Sequence, residues 1–250
     1  MKTNRRLEIE NYINKKQRVT MVELVEEFQV SMNTIRSDIR YLEKLGVVEK
    51  IYGGVSRVEK KLQTDFDIRD AQNTNEKRMI AEFAANLIHS GDVVFCDSGT
   101  TTKRILDFIP PSVSFTMITN SFDLITSSIS NENVAVISLP GIFNKSTKTF
   151  VDQNTAKLIR KYNISKAFIS VTAVDEDGSM TNSSELECEI KKSAIEQSKE
   201  NYLLCDSSKF GRTSLLSFYN IKDMDLVITA GELNEKSKSI LALCNYKHIS

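Results

Sequence analysis

From residue 76 onward, short apolar runs alternate with longer stretches of helical spacing. The strand-like runs are 93–96, 114–118, 134–139, 166–171, 201–205 and 226–229. Helical patterns occupy 76–89, 101–108, 121–129, 152–162, 184–199 and 235–243. This alternation constrains the chain strongly. Parallel strands need crossovers long enough to hold a helix, and strands buried on both faces need helices to cover them. The expected class is therefore α/β, with a mostly parallel sheet wrapped by helices.

In open sheets of this kind, ligands bind outside the carboxyl ends of the strands. Polar residues gather at those ends. After 93–96 comes Asp97-Ser98-Gly99-Thr100-Thr101-Thr102, and after 114–118 comes Thr119-Asn120-Ser121. Pro140-Gly141 follows 134–139, and Thr172-Ala173-Val174-Asp175 follows 166–171. Asp206 to Gly211, with Lys209 inside it, follows 201–205. Residues 97–102 admit two readings. Gly99 permits close backbone approach, three threonine hydroxyls offer donors, and a helix start would favour an anion, which makes a phosphate cradle. The same six residues also suit a hydroxyl-rich turn that only caps its helix. Lys209 by itself reads as a solvated loop lysine.

The first sixty residues have a different character. Helix 4–15 carries Leu7, Ile9, Tyr12 and Ile13. Thr20-Met21-Val22-Glu23 has the spacing of a capping box and opens helix 21–28. Ser31 is a suitable N-cap for helix 32–44, in which Ile35, Ile39 and Leu42 form one apolar stripe. The opposite face carries Asn33, Thr34, Arg36, Ser37, Arg40, Tyr41 and Lys44. Two helices joined by a three-residue break, the second with such a face, fit a helix-turn-helix, although a solvated face on a helical bundle has the same pattern. Asn33, Thr34, Arg36 and Ser37 lie where base edges are read, since amides suit adenine and guanidinium suits guanine. Arg40, Tyr41 and Lys44 lie further along and suit phosphates. Residues 47–58 then read as two strands around Gly53-Gly54, a wing that carries Lys50, Tyr52 and Arg57. Domain bounds of 1–58 and 76–250 follow, with 59–75 as a polar, partly ordered linker.

Charge is distributed to match. Lys plus Arg equals Asp plus Glu at 33 each, yet residues 1–62 hold 13 basic and 9 acidic side chains. A basic head on an acidic body suits an anionic partner. With 40% hydrophobic residues the chain is neither disordered throughout nor fibrous. No run reaches the roughly 18 apolar residues of a membrane span, and the N-terminus lacks a secretory h-region, so a cytoplasmic location is expected. Cys96, Cys188, Cys205 and Cys244 are scattered, with only two histidines in the chain. They read as reduced thiols, with no metal site and no cofactor.

Ser31 to Val55, SMNTIRSDIRYLEKLGVVEKIYGGV, closely resembles the DeoR-type family of bacterial transcriptional regulators. The match rests on Thr34-Ile35-Arg36, Asp38, Leu42-Glu43 running into Gly46, and Tyr52-Gly53-Gly54. DSGTTT, Thr119-Asn120 and Asp206 to Gly211 resemble that family's C-terminal sensor domain, similar in fold to ribose-5-phosphate isomerase and CoA transferases. The resemblance implies a homo-oligomer that binds an operator in double-stranded DNA, and an effector that is a phosphorylated sugar or related metabolite. It implies a repressor of carbohydrate metabolism. Ser98, Gly99, Thr100, Thr101 and Thr102 would hold phosphate, with Asp97, Asn120, Gly141, Asp206 and Lys209 around them. It implies a structural Asp38 paired with an arginine, and Phe66 and Arg69 docking the head on the body. Pro140-Gly141, Asp152 and Ser170 to Ala173 depart from the family's glycine-rich pattern and bear on the ligand's identity.

Two other readings belong beside this one. A sugar-phosphate isomerase or CoA-transferase-like enzyme with an accessory DNA-binding head would need a carboxylate such as those of Asp175, Glu176 and Asp177, which also read as an acidic turn before Gly178. Glu185 and Glu187 read as the polar face of a helix. An architectural DNA-binding protein would need no ligand.

Overall fold

The computed structural model describes residues 2–44, 47–57 and 66–250. Gly46, Val58 and linker residues 59–65 lie outside them, as do the side chains of Leu7, Lys44 and Arg57. The chain divides into two compact units, Met1–Thr64 and Asp65–Ser250.

In the first unit, α1 (Lys2–Lys16) leads through β1 (Arg18–Thr20) into α2 (Met21–Phe28) and α3 (Met32–Lys44). A hairpin of β2 (Val48–Ile51) and β3 (Gly54–Arg57) follows. The capping box forms as the spacing predicts: Glu23 N–H donates to the Thr20 hydroxyl at 3.1 Å, and Thr20 N–H donates to the Glu23 carboxylate at 2.7 Å. Gln29, in a left-handed conformation, ends α2. Thr34 N–H donates to the Ser31 hydroxyl at 3.2 Å and caps α3. Ile35, Ile39 and Leu42 are buried with Ile9, Ile13, Leu24, Val48 and Val55. Asp38 is fully buried and takes Arg5 and Arg6 in ion pairs of 2.7 and 2.8 Å. Strand β1 was not expected. It has three residues and one apolar side chain, too few to show alternation, and it pairs with β3 to give an antiparallel sheet of order β1-β3-β2. Only Gly53 of the glycine pair has positive φ. Gly54 has a different role: a Cβ there would lie 2.4 Å from the Val19 carbonyl oxygen of β1.

The second unit opens with α4 (Phe66–Asp70) and α5 (Thr74–Ala85), then β4 (Val93–Cys96), a 3-10 helix (Thr102–Phe108), β5 (Phe115–Thr119), α6 (Phe122–Ser127) and β6 (Val134–Ser138). The hairpin β7 (Ile142–Asn144) and β8 (Thr149–Val151), α7 (Thr155–Ile159) and β9 (Ile164–Ile169) come next. Then follow β10 (Ala173–Val174), β11 (Ser179–Asn182), α8 (Glu185–Gln197), β12 (Ser198–Leu204), β13 (Leu216–Asn220), β14 (Leu226–Ala230), α9 (Glu235–Leu241) and β15 (Tyr246–Ile249). Seven strands form one sheet of order β15-β14-β12-β9-β4-β5-β6, parallel at every pair. Strand side chains alternate between faces. Phe95, Ala167, Ile169 and Leu203 enter one core with α8, while Val94, Cys96, Phe168 and Leu204 enter another with α5. An antiparallel sheet β10-β11-β13 and the β7-β8 hairpin stand apart from the main sheet.

Several predicted helices change. Residues 102–108 are 3-10 rather than α, and the buried Thr102 and Ile105 stand three apart, the repeat of that helix. The pattern at 152–162 shrinks to α7, because the Asp152 side chain accepts from Asn154 N–H at 2.8 Å and holds a turn before it. The acidic run 175–177 is the turn between β10 and β11: Gly178 N–H donates to the Asp175 carbonyl with φ of 84°. All four cysteines are free thiols, and burial pushes the Cys96 and Cys205 thiols well up. Among the described residues no helix is long and apolar enough to cross a membrane.

Candidate functional site

On α3, Asn33, Arg36, Ser37, Arg40 and Tyr41 are exposed. They fall at i, i+3, i+4, i+7 and i+8, so they share the face opposite Ile35, Ile39 and Leu42. Asn33, Arg36, Ser37 and Arg40 have no side-chain partner among the described residues. Thr34 differs: it is half-buried and its hydroxyl lies 2.9 Å from that of Ser31, within the cap. Tyr41 lies under the Arg6 guanidinium, 3.9 Å from ring centroid to Cζ. On the wing, Lys50 pairs with Glu43 and Tyr52 stands fully in solvent at the turn. Asn33, Arg36, Ser37 and Arg40 thus offer amide, hydroxyl and guanidinium groups with no internal partner to break, the groups that contact duplex phosphates and base edges.

In the body, β4 and β9 are neighbours whose onward connections run opposite ways, β4 toward β5 and β9 toward β12. A crevice is expected at such a switch point, and a small polar cleft lies there. Ser98 and Gly99 line it from the loop after β4, and Ser170, Val171 and Thr172 from the loop after β9. Asn182 from the end of β11, Glu187 and Lys191 from α8, Thr147 and Arg69 complete the lining.

Asp97 holds the two loops together. Its Oδ1 accepts from Gly99 N–H at 2.9 Å and the Thr102 hydroxyl at 2.7 Å. Its Oδ2 accepts from Ser170 N–H at 2.8 Å, the Ser170 hydroxyl at 2.9 Å and the Lys191 ammonium. Burial would raise this carboxyl, yet the Lys191 charge and the hydrogen bonds outweigh it and hold Asp97 below the usual carboxylate range. Gly99 allows the loops to meet: a Cβ there would lie 2.0 Å from Ser170 Oγ. The close approach inferred for Gly99 is thus made to the neighbouring loop.

The expected effector residues therefore divide. Ser98 and Gly99 line the cleft, and the Ser98 hydroxyl has no partner among the described residues. Thr100 and Thr101 are buried but do not line it. Asp97 and Thr102 are committed to each other. Asn120, Gly141, Asp206 and Lys209 are also outside the lining. Asn120 donates to the Phe150 carbonyl at 3.2 Å, and a Cβ on Gly141 would meet Val151 N at 2.4 Å. Asp206 is buried and accepts from Asn73 at 2.7 Å. Lys209 is half-buried rather than solvated, and that burial pulls its ammonium below the usual lysine range despite Asp206.

Sequence reasoning missed Thr147, Asn182, Glu187 and Lys191. Glu187 is buried, not on a solvated face. Phe66 is buried inside the body and donates its N–H to the Ser146 carbonyl at 3.0 Å. Asp70 pairs with Lys103 at 2.6 Å and Arg104 at 2.7 Å. These contacts fix α4 and bring Arg69 to the cleft.

Residues 5–61 match the family described as "DeoR-like helix-turn-helix domain", and residues 72–231 match "DeoR C terminal sensor domain". The chain is 40% identical to the HTH-type transcriptional regulator IolR of Bacillus subtilis, with 94% of each chain covered. It is 34% identical to the lactose phosphotransferase system repressor of Staphylococcus epidermidis, covering 93% of this chain and 94% of that one. It is 28% identical to the L-fucose operon activator of Haemophilus influenzae, covering 87% and 88%. The structure of ribose 5-phosphate isomerase A from Methanocaldococcus jannaschii is similar over 55% of each chain, with 17% identity and a TM-score of 0.39.

Proposed function

Since the chain belongs to the DeoR family of DNA-binding transcriptional regulators and is not an enzyme, we propose that it represses a carbohydrate-metabolism operon and leaves its operator when a phosphorylated sugar fills the body's cleft. The observation that carries the reading is the division of polar groups: an unpartnered amide and guanidinium face on α3, and a preassembled polar cleft at the β4/β9 switch point. Relatives support the carbohydrate part, since a lactose system repressor and an L-fucose operon activator are among them. Repression is favoured because the repressor is the more similar of the two.

Asn33, Arg36 and Ser37 read base edges; Arg40, Tyr41, Lys44, Lys50, Tyr52 and Arg57 hold phosphates. In a homo-oligomer, two heads meet two half-sites. The Ser98 hydroxyl takes the effector phosphate beside Gly99, with Arg69 supplying positive charge. Thr100, Thr101, Asn120, Gly141, Asp206 and Lys209 support the surrounding loops. Because the helix after Thr101 is a short 3-10 turn, its dipole contributes little. The effector shifts the heads away from DNA only as far as it prefers the released state.

The test is an operator selected from random duplexes, followed by anisotropy titration with and without pentose and hexose phosphates. Weakened binding with at least one phosphate ester is expected. Operator binding indifferent to all of them would favour a ligandless architectural protein.

A further inference from the structure

Glu187 stands in the first turn of α8 and is 7% exposed. Its Oε2 accepts from Asn182 Nδ2 at 3.1 Å. Its Oε1 is buried and has no partner among the described residues. Two polar neighbours are committed elsewhere. Asn182 is fixed in orientation, because its Oδ1 accepts from the Thr172 hydroxyl at 2.7 Å and from Ser183 N–H at 2.8 Å. Lys191, one turn along the same helix, gives its ammonium to Asp97 and to the Ser170 carbonyl at 2.7 Å. A buried carboxylate oxygen on a residue that lines the cleft is thus left short of a donor.

The chemistry of the missing donor is restricted. A phosphate carries like charge, so Glu187 repels it. A hydroxyl donates one hydrogen and brings no charge. An ammonium would add a third cation to a cleft already lined by Arg69 and Lys191. We infer that Glu187 is a specificity-determining residue that accepts a hydrogen bond from a ligand hydroxyl, so the cleft selects a polyhydroxylated phosphate ester over phosphate alone. This rests on the proposed function and adds the group that reads the ligand's carbon skeleton. Asn182 is its positioning residue: by occupying one oxygen of Glu187 as a donor, it leaves the other for the ligand.

The test uses the full chain, by calorimetric titration with inorganic phosphate, n-propyl phosphate, and a panel of pentose 5-phosphates and hexose 6-phosphates, glucosamine 6-phosphate included. At least one sugar phosphate should bind roughly tenfold or more tighter than n-propyl phosphate, since a hydrogen bond to a charged group is worth about that or more. In Glu187→Gln the amide oxygen must face Asn182, which presents a donor where the acceptor stood. Affinity for that sugar phosphate should then fall roughly ten- to a hundredfold, while inorganic phosphate binds as well as before or tighter. Sugar phosphates that bind no tighter than n-propyl phosphate overturn the inference on the wild type alone, whether or not the variant folds. So does an unchanged sugar-phosphate affinity in Glu187→Gln. Preference for glucosamine 6-phosphate over glucose 6-phosphate, lost in Glu187→Gln, overturns the choice of a neutral donor. In these cases the proposed function stands if phosphate still binds. If neither inorganic phosphate nor any ester binds, the proposed function falls together with the inference.

Discussion

On α3, Asn33, Arg36, Ser37 and Arg40 stand in solvent with no partner among the described residues. In the body, Asp97, Thr102, Ser170 and Lys191 are buried and bonded to one another. The contrast follows from the size of what each region meets. A duplex covers a large surface and brings its own countercharge, so side chains facing it can wait hydrated. A small metabolite contributes few contacts and cannot order a loose site, so its cleft must be held in shape beforehand. Removing a polar group from the exposed face of α3 should therefore cost binding, and removing one from the Asp97 cluster should cost folding.

Asp97→Ala carries the largest expected effect. It strands the Lys191 ammonium in the interior and unties two loops, for a loss of about 3–5 kcal/mol of body stability. Chemical denaturation, followed by far-UV circular dichroism, should show the body's transition moving to lower denaturant. A loss under about 1 kcal/mol would mean that the cluster is not the tie described here.

Two smaller substitutions should separate the regions by readout. Arg36→Ala is expected to cost about 1–3 kcal/mol of operator affinity and to relax one base position, with stability unchanged within about 0.5 kcal/mol. Gly99→Ala is expected to cost about 1–3 kcal/mol of stability, because its methyl displaces Ser170 from Asp97. Anisotropy with single-base operator variants measures the first, and denaturant midpoints measure the second. If Arg36→Ala lowered stability instead of affinity, α3 would not be the reading face.

The same contrast explains what the sequence disclosed. Helix α3 was legible because Ile35, Ile39 and Leu42 recur at helical spacing, and a pattern of polar residues on the other face needs no distant information. The capping box at Thr20 and the turn at Gly53 are equally local. For the cleft, DSGTTT marked the right loop, since it leaves β4 at the switch point. Which of its residues face a ligand depends on Ser170 and Lys191, 73 and 94 residues away. Glu187 and Lys191 were hidden for a related reason: in a run holding Glu185, Glu187, Glu189, Lys191 and Lys192, charge suggests solvent, and only the packing of β11 and the β9 loop shows which of them are enclosed. Arg69 was obscured because α4 is five residues long and its anchor, Phe66, stands in a polar segment.

A second buried cation tests the body side of the comparison through pH, with the smallest effect expected. Lys77 in α5 is 2% exposed and donates to the carbonyls of Arg69 and Gln72, the latter at 2.7 Å. Among the described residues it forms no ion pair with a carboxylate. Burial pulls its ammonium down to about 8, with Asp206 offsetting part of the loss. The folded-state value thus lies below the unfolded one near 10.5. Between these values the unfolded chain holds a proton that the folded chain has released, so stability contributed at this position rises with pH across the window. Below about 8 both states are protonated and the burial penalty is constant. Relative to Lys77→Met, the wild type should gain stability between pH 8 and pH 10, by less than the one-proton limit of about 1.4 kcal/mol per pH unit. Urea titrations of both proteins across that range measure the difference. Parallel curves would show that Lys77 is hydrated in the folded state, and the contrast between a solvated head and a sealed body would then stop short of the Arg69 carbonyl.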